Sequence, residues 1–154
     1  MQIRPAQANE AELLSGLAGK AKAHWGYSPE TTKMWRRELS ISAAEVTSRP
    51  VFVGTLDQQV VGFYSLMPSA QAWELDNLWV LPEFMHRGIG RALLSHALET
   101  AIRGGASSVT VDADPNAEAF YLGCGAIRRG EVRAPIPGQP QRVRPQLAFS
   151  GLAT

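Results

Sequence analysis

Only one cysteine, Cys124, occurs in the 154 residues, so no internal disulfide can form, which fits a reducing compartment. No apolar run approaches the length of a membrane span, and the first residues lack the apolar core of a secretion signal. Together these absences give the expectation of a soluble, cytoplasmic protein without a membrane partner. Charged residues are sparse at 19% and nearly balanced, with a formal net charge of +1. That removes the electrostatic case for a nucleic-acid partner. The three histidines show no His-x-x-x-His spacing and no cysteine pair accompanies them, so no metal is expected. His96 reads as a surface residue. Arg128, Arg129, Arg133, Arg142 and Arg144 gather near the C-terminus, where a solvated pair of edge strands accounts for them.

What is present is concentrated between Glu74 and Leu94. The order there is a strand, a turn broken at Pro82, a glycine loop and a helix. Such a sequence aims unpaired backbone N–H groups and the positive end of a helix dipole at one point, which suits a phosphate. Glycine at 88 and 90 allows a ligand close to the backbone. Two familiar phosphate loops are nevertheless missing. Counted from Gly88, the third glycine of a dinucleotide fingerprint falls on Leu93, and no Gly-Lys-Ser/Thr triplet of a P-loop exists.

Along the rest of the chain, residues 2 to 5 read as a strand. Asn9 with Glu12 reads as a capping box for a helix carrying Leu13, Leu14 and Leu17. A break at residues 24 to 27 leads to a second helix, with Ser28 as N-cap and Pro29 at its first position. Ser42 and Glu45 form another box. Residues 51 to 56 and 60 to 66 predict a hairpin, and residues 72 to 80 a further strand. A long helix over 88 to 103 stops at Gly104-Gly105. Residues 107 to 112 are a strand, Asp114-Pro115 caps a short helix through Tyr121, and strands at 126 to 134 and 142 to 149 follow. No linker interrupts this order. The expectation is a single α/β domain over residues 1–154, a mixed sheet with helices on both faces.

The loop and its flanks resemble the GNAT superfamily of acyl-CoA-dependent N-acyltransferases. Leu78-Trp79-Val80-Leu81-Pro82 matches the strand end, and His86-Arg87-Gly88-Ile89-Gly90-Arg91 matches most of a loop of the form Gln/Arg-x-x-Gly-x-Gly/Ala. Met85 stands where the family usually has Gln or Arg, which removes one side-chain contact and leaves the backbone amides. The resemblance implies acetyl-CoA as acyl donor, with its diphosphate on the amides of His86, Arg87, Gly88, Ile89, Gly90 and Arg91. It further implies main-chain groups of Leu78, Trp79 and Val80 around the pantetheine and the reacting carbonyl. Phe120-Tyr121 opens Phe-Tyr-x-x-x-Gly-Ala, similar to a family segment whose tyrosine protonates the departing thiolate. An asparagine usually lies seven residues before that tyrosine. Asp114 occupies that place here, and Asn116 is the nearest candidate contact for pantetheine.

Glu74 and Asp76 lie two apart on an apolar strand, so a regular strand projects both from one face. Two carboxylates there are costly unless solvated, bonded or used. By its offset from the glycine loop, Glu74 matches the glutamate that serves as base in one branch of the family, and Asp76 is the alternative. Trp25 and Tyr27, with Trp35, cluster near the helical break that overhangs the acceptor side in this fold, and are candidates for the acceptor pocket. The function implied is N-acetyl transfer to a primary amine of a small molecule or peptide, by direct transfer in a ternary complex. An acyl-CoA sensor without chemistry is the alternative, though a sensor needs neither Glu74 nor Tyr121. The late strands would suit a homodimer.

Overall fold

The computed structural model describes residues 1–152. Seven strands form one sheet: β1 (Gln2–Pro5), β2 (Val51–Leu56), β3 (Gln59–Met67), β4 (Ala72–Val80), β5 (Ser108–Asp112), β6 (Ile127–Arg133) and β7 (Val143–Phe149). Their spatial order is β1-β2-β3-β4-β5-β7-β6. Only β4 and β5 run parallel, so the sheet is mixed, as the sequence predicts. The helices are α1 (Ala11–Ala23), α2 (Pro29–Met34), α3 (Arg36–Leu39), α4 (Ala43–Ser48), α5 (Ile89–Arg103) and α6 (Glu118–Gly123).

Each face of the sheet carries its own core. On one side Trp73, Leu75, Val109, Val111 and Phe149 pack against Leu93, Leu94 and Ala97 of α5. On the other, Val53, Phe63 and Leu81 meet Leu14 and Leu17 of α1, with Ile41 and Val46. Burying each such side chain contributes about 1.5–3 kcal/mol. Two contacts between backbone and core leave no room for a Cβ. On Gly62 of β3 it would lie 2.9 Å from Leu93 Cδ1, and on Gly104, just after α5, 2.3 Å from the Trp73 ring.

Several local signals act as expected. Ser28 Oγ accepts from the amide of Thr31, and Ser42 and Glu45 form a full capping box. The first helix differs. Arg4 of β1 grips both oxygens of Glu10 at 2.9 and 2.8 Å, and Glu10 Oε1 accepts from the Gln7 amide. This tertiary pair draws Ala8–Glu10 into a 3₁₀ turn, so the cap is built by Gln7 and Glu10 rather than by Asn9 and Glu12. Leu13 consequently faces solvent, while Leu14 and Leu17 are buried. His96 also departs from its reading as a surface residue. It is half-buried, and its Nδ1 shares a 2.7 Å hydrogen bond with the hydroxyl of fully buried Tyr64.

β6 is exposed along its length, as expected for a solvated edge, but Arg142 is not solvated. Its side chain is 3% exposed and lies 3.5 Å from Asp114 Oδ2. The same oxygen accepts from Lys22 Nζ at 2.5 Å and from the Tyr27 hydroxyl at 2.8 Å. Tyr27 and Trp35 meet edge to face, and both cations lie over their rings. One carboxylate therefore ties α1, the α1–α2 loop and the loop before β7 to the end of β5. Burial works against ionising Asp114, but Lys22, the Asn116 amide and the Tyr27 hydroxyl outweigh it and hold the carboxyl below its ordinary value.

Gly104→Ala is expected to destabilise the fold by about 1–3 kcal/mol through overpacking against Trp73, read as a fall in the midpoint of thermal unfolding. Asp114→Asn leaves two buried cations without their partner and is expected to destabilise by roughly 3–5 kcal/mol at neutral pH. Because the folded carboxyl titrates below the unfolded one, its stabilisation is complete above about pH 4 and is lost as pH falls through the folded value. Denaturant titrations of both proteins should show their difference narrowing only in that acid range.

Candidate active site

The strand order creates an opening in the sheet. β4 pairs with β5 only over Ala72–Glu74 opposite Ser108–Thr110, after which the two strands separate. β4 continues to Val80 along β3, where the Leu81 amide donates to the Val61 carbonyl. In an antiparallel ladder, alternate residues turn their backbone groups to opposite edges. Trp79 shares the edge of Leu81 and bonds toward β3, so the main-chain groups of Leu78 and Val80 face the gap. Trp79 contributes its side chain instead, with the indole N–H donating to Asn77 Oδ1 at 2.9 Å. Two of the three backbones singled out in the sequence thus face the gap.

Below the gap lies the N-terminus of α5. His86 and Gly88 both have positive φ, 63° and 81°, which curls the chain before the helix begins. Such a conformation is uncommon for a non-glycine residue and free of strain for glycine. The first helical bond runs from the Ala92 amide to the Gly88 carbonyl. Among the described residues, the amides from His86 to Arg91 donate to nothing else in the chain. A row of free donors at the positive end of a 15-residue helix is an anion site in waiting.

Gap and helix end open into one cavity of about 560 Å³. Leu78, Trp79, Val80, His86, Gly88, Gly90 and Arg91 line it, together with Phe120 and Tyr121 of α6. Arg87 and Ile89 do not. The Arg87 guanidinium lies 5.2 Å from the Phe84 ring centre, and the Ile89 side chain is core, so each brings only its amide. A Cβ on Gly90 would lie 3.4 Å from the Phe120 ring, in ordinary van der Waals contact.

Ala21, His24 and Trp25, at the end of α1 and just after it, and Asp112, Ala113 and Asp114, at the end of β5 and just after it, also line the cavity. Trp25, an acceptor-pocket candidate in the sequence, is thus part of the lining. Tyr27 is outside the lining, drawn away by Asp114 and by Arg142, whose Nη2 donates to its hydroxyl at 3.1 Å. Asn116 is also outside it. Its side chain donates to Asp114 Oδ1 and to the Tyr27 hydroxyl, closing the turn that leads into α6.

Of the two strand carboxylates, Asp76 lines the cavity and Glu74 does not. The register explains this. Ser65 is opposite Asn77 and Leu66 opposite Leu75, so Asp76 is the extra residue of a β-bulge. A bulge re-aims a side chain and breaks the two-residue period. Asp76 Oδ2 accepts from Arg49 at 3.1 Å. Burial raises its pKa, with Arg49 opposing. Burial also raises that of Glu74, helped by the neighbouring charges of Asp76 and Asp112. Tyr121 is 7% exposed and lines the cavity. Burial pushes its pKa well above the ordinary phenol value, so the hydroxyl keeps its proton over the working range of pH.

Sequence reasoning passed over Lys22, Arg142 and Asp112. Arg142 opens the last strand read from the sequence, where a solvated edge accounted for it. No local signal joins Lys22 to Asp114, 92 residues away, or Arg142 to Tyr27, 115 away.

The chain is similar to solved structures over almost its whole length. PaiA N-acetyltransferase from Thermoplasma acidophilum, solved in complex with coenzyme A, is 21% identical, with a TM-score of 0.77 over 97% of this chain and 98% of that one. YncA from Salmonella typhimurium, solved with its cofactor acetyl-CoA, is 19% identical, with a TM-score of 0.71 over 97% and 93%. The ribosomal-protein-S18-alanine N-acetyltransferase of Escherichia coli is 18% identical, with a TM-score of 0.73 over 99% and 94%. At these identities the likeness concerns the fold. No curated protein matches the sequence. Residues 20–126 match the family model described as Acetyltransferase (GNAT) family. That match runs from the last turn of α1 past the end of α6 and takes in every residue that lines the cavity, so this chain belongs to the GNAT acetyltransferase family.

Proposed function

We propose that the protein transfers the acetyl group of acetyl-CoA directly to a primary amine, both substrates being bound together. The observation that carries this reading is that the free amides at the start of α5 and the gap between β4 and β5 open into the same cavity. Amides from His86 to Arg91 suit a diphosphate, each bond to the charged group being of the strong, charge-assisted kind. The edge of β4 at Leu78 and Val80 suits the amide groups of pantetheine and the oxyanion of the tetrahedral intermediate.

In this scheme the amine nitrogen attacks the thioester carbonyl, a C–N bond forms and the C–S bond breaks. The amine proton passes to a β4 carboxylate. Asp76 has first claim because the bulge turns it into the cavity, and Glu74 stands behind it, within reach through a water. A carboxyl whose pKa is raised by burial is a better base near neutrality than an ordinary one. Tyr121 gives its proton to the thiolate as it leaves. The acceptor enters from the end bounded by Trp25 and Asp112.

The test is thiol release from acetyl-CoA with a panel of alkylamines, aralkylamines, amino acids and short peptides with a free N-terminus. Release with at least one amine is expected. Asp76→Asn should lower kcat/KM by about 10²- to 10⁴-fold and remove the acid limb of the pH profile. That limb falls as pH drops through the raised carboxyl pKa, because the base must be ionised. An unchanged limb in Asp76→Asn with its loss in Glu74→Gln would move the role to Glu74. Tyr121→Phe should lower kcat while leaving the affinity for acetyl-CoA unchanged; full turnover in that variant would remove the hydroxyl from the mechanism. Absence of both binding and release would contradict the reading as a whole.

A further inference from the structure

The two ends of the cavity are anchored differently. The cofactor end rests on backbone of α5 and β4. The end we assign to the acceptor is lined by Ala21, His24 and Trp25 and by Asp112 to Asp114, two walls from segments about ninety residues apart. The polar side-chain ties between them converge on one carboxylate. Asp114 divides its oxygens. Oδ1 accepts from the Asn116 amide and side chain at 2.8 and 2.9 Å and so starts the turn into α6. Oδ2 takes Lys22, next to Ala21 of the other wall, and Tyr27 from just beyond the lining, with Arg142 at 3.5 Å.

This cluster is closed to water. The side chains of Lys22, Asp114 and Arg142 are 12%, 5% and 3% exposed. It holds two cations for one anion, and the surplus charge is met by aromatic faces: Lys22 Nζ is 4.5 Å and the Arg142 guanidinium 5.2 Å from the centre of the Trp35 ring. Its position distinguishes it from a cluster that only adds stability. Lys22 follows Ala21 directly and precedes Trp25 by three residues, while Asp114 is itself part of the lining. Any lengthening of the Lys22–Asp114 contact moves one wall of the acceptor opening against the other.

We propose that the clamp of Lys22, Tyr27 and Arg142 on Asp114 sets the width of the acceptor opening, which makes Lys22 and Arg142 specificity-determining positioning residues. Neither of them lines the cavity. The proposal rests on the acetyl-transfer reading, and two measurements separate the fates of the two. Lys22→Met keeps the length of the stem and removes the charge, and Tyr27→Phe removes one hydroxyl if the first variant folds poorly. Using the best amine of the panel, KM for the amine should rise about tenfold or more, because small misplacement of a bound substrate is costly, and the preference between slender and bulky amines should shrink. Affinity for CoA by calorimetry should stay within about twofold, since the cluster bonds to neither β4 nor α5. Lys22→Arg should restore the amine KM. The second measurement needs no acceptor: amide hydrogen exchange over residues 20–27 should quicken in Lys22→Met, with α5 unchanged. Unchanged exchange there, or an amine KM equal to that of the parent, would overturn the clamp. A parent protein that binds no CoA and releases no thiol would instead strike the acetyl-transfer reading.

Discussion

The short parallel pairing between β4 and β5 is the constraint on which the rest depends. Three residue pairs hold the two strands together, and beyond Glu74 and Thr110 they part. A sheet interrupted in this way leaves backbone donors and acceptors without partners, which a folded protein tolerates only where a ligand or water can supply them. Here the unpaired edge of β4 lies above the unpaired amides of α5, so two local deficits in hydrogen bonding become two halves of one binding surface. Close packing of α5 on the sheet, permitted by Gly62 and Gly104, fixes their relative position.

The chemistry is placed by exceptions to regular structure rather than by the regular elements. The bulge at Asp76 turns a carboxylate toward the cavity at the cost of a broken ladder. The left-handed backbone at His86 and Gly88 curls the chain so that successive amides point together. Tyr121 is buried on a helix of six residues whose approach is set by the Asp114 turn. The ion cluster around Asp114 then joins the helical side of the molecule to this arrangement. Unpaired backbone groups of β4 and α5 meet at the cavity, and ordinary cores lie on both faces of the sheet.

Much of this was legible in the sequence because it is written in short-range patterns. The strands alternate, α5 has a helical period, Ser28 and Ser42 carry their caps, and Gly88, Gly90 and Tyr121 stand at the spacings the family requires. What escaped depends on distant partners. An extra residue in a strand cannot be seen until the neighbouring strand fixes the register, so the offset from the glycine loop favours Glu74 and leaves Asp76 as the alternative. Asn9 and Glu12 form a plausible box until Arg4 claims Glu10. Arg142 reads as solvated because its partners, Tyr27 and Asp114, are contributed by other parts of the chain, and His96 because the Tyr64 hydroxyl that draws it inward lies on β3. Strand register decided the first case, and tertiary ion pairs and hydrogen bonds decided the other three.

The central claim is that backbone amides at the start of α5 hold the diphosphate of coenzyme A. Amide-resolved NMR during titration with CoA, compared with titration by pantetheine, which lacks the diphosphate, tests it most directly. The account predicts saturable shifts of the Gly88 to Arg91 amides with CoA and little change there with pantetheine. Saturable binding of CoA that leaves those amides unmoved would contradict it.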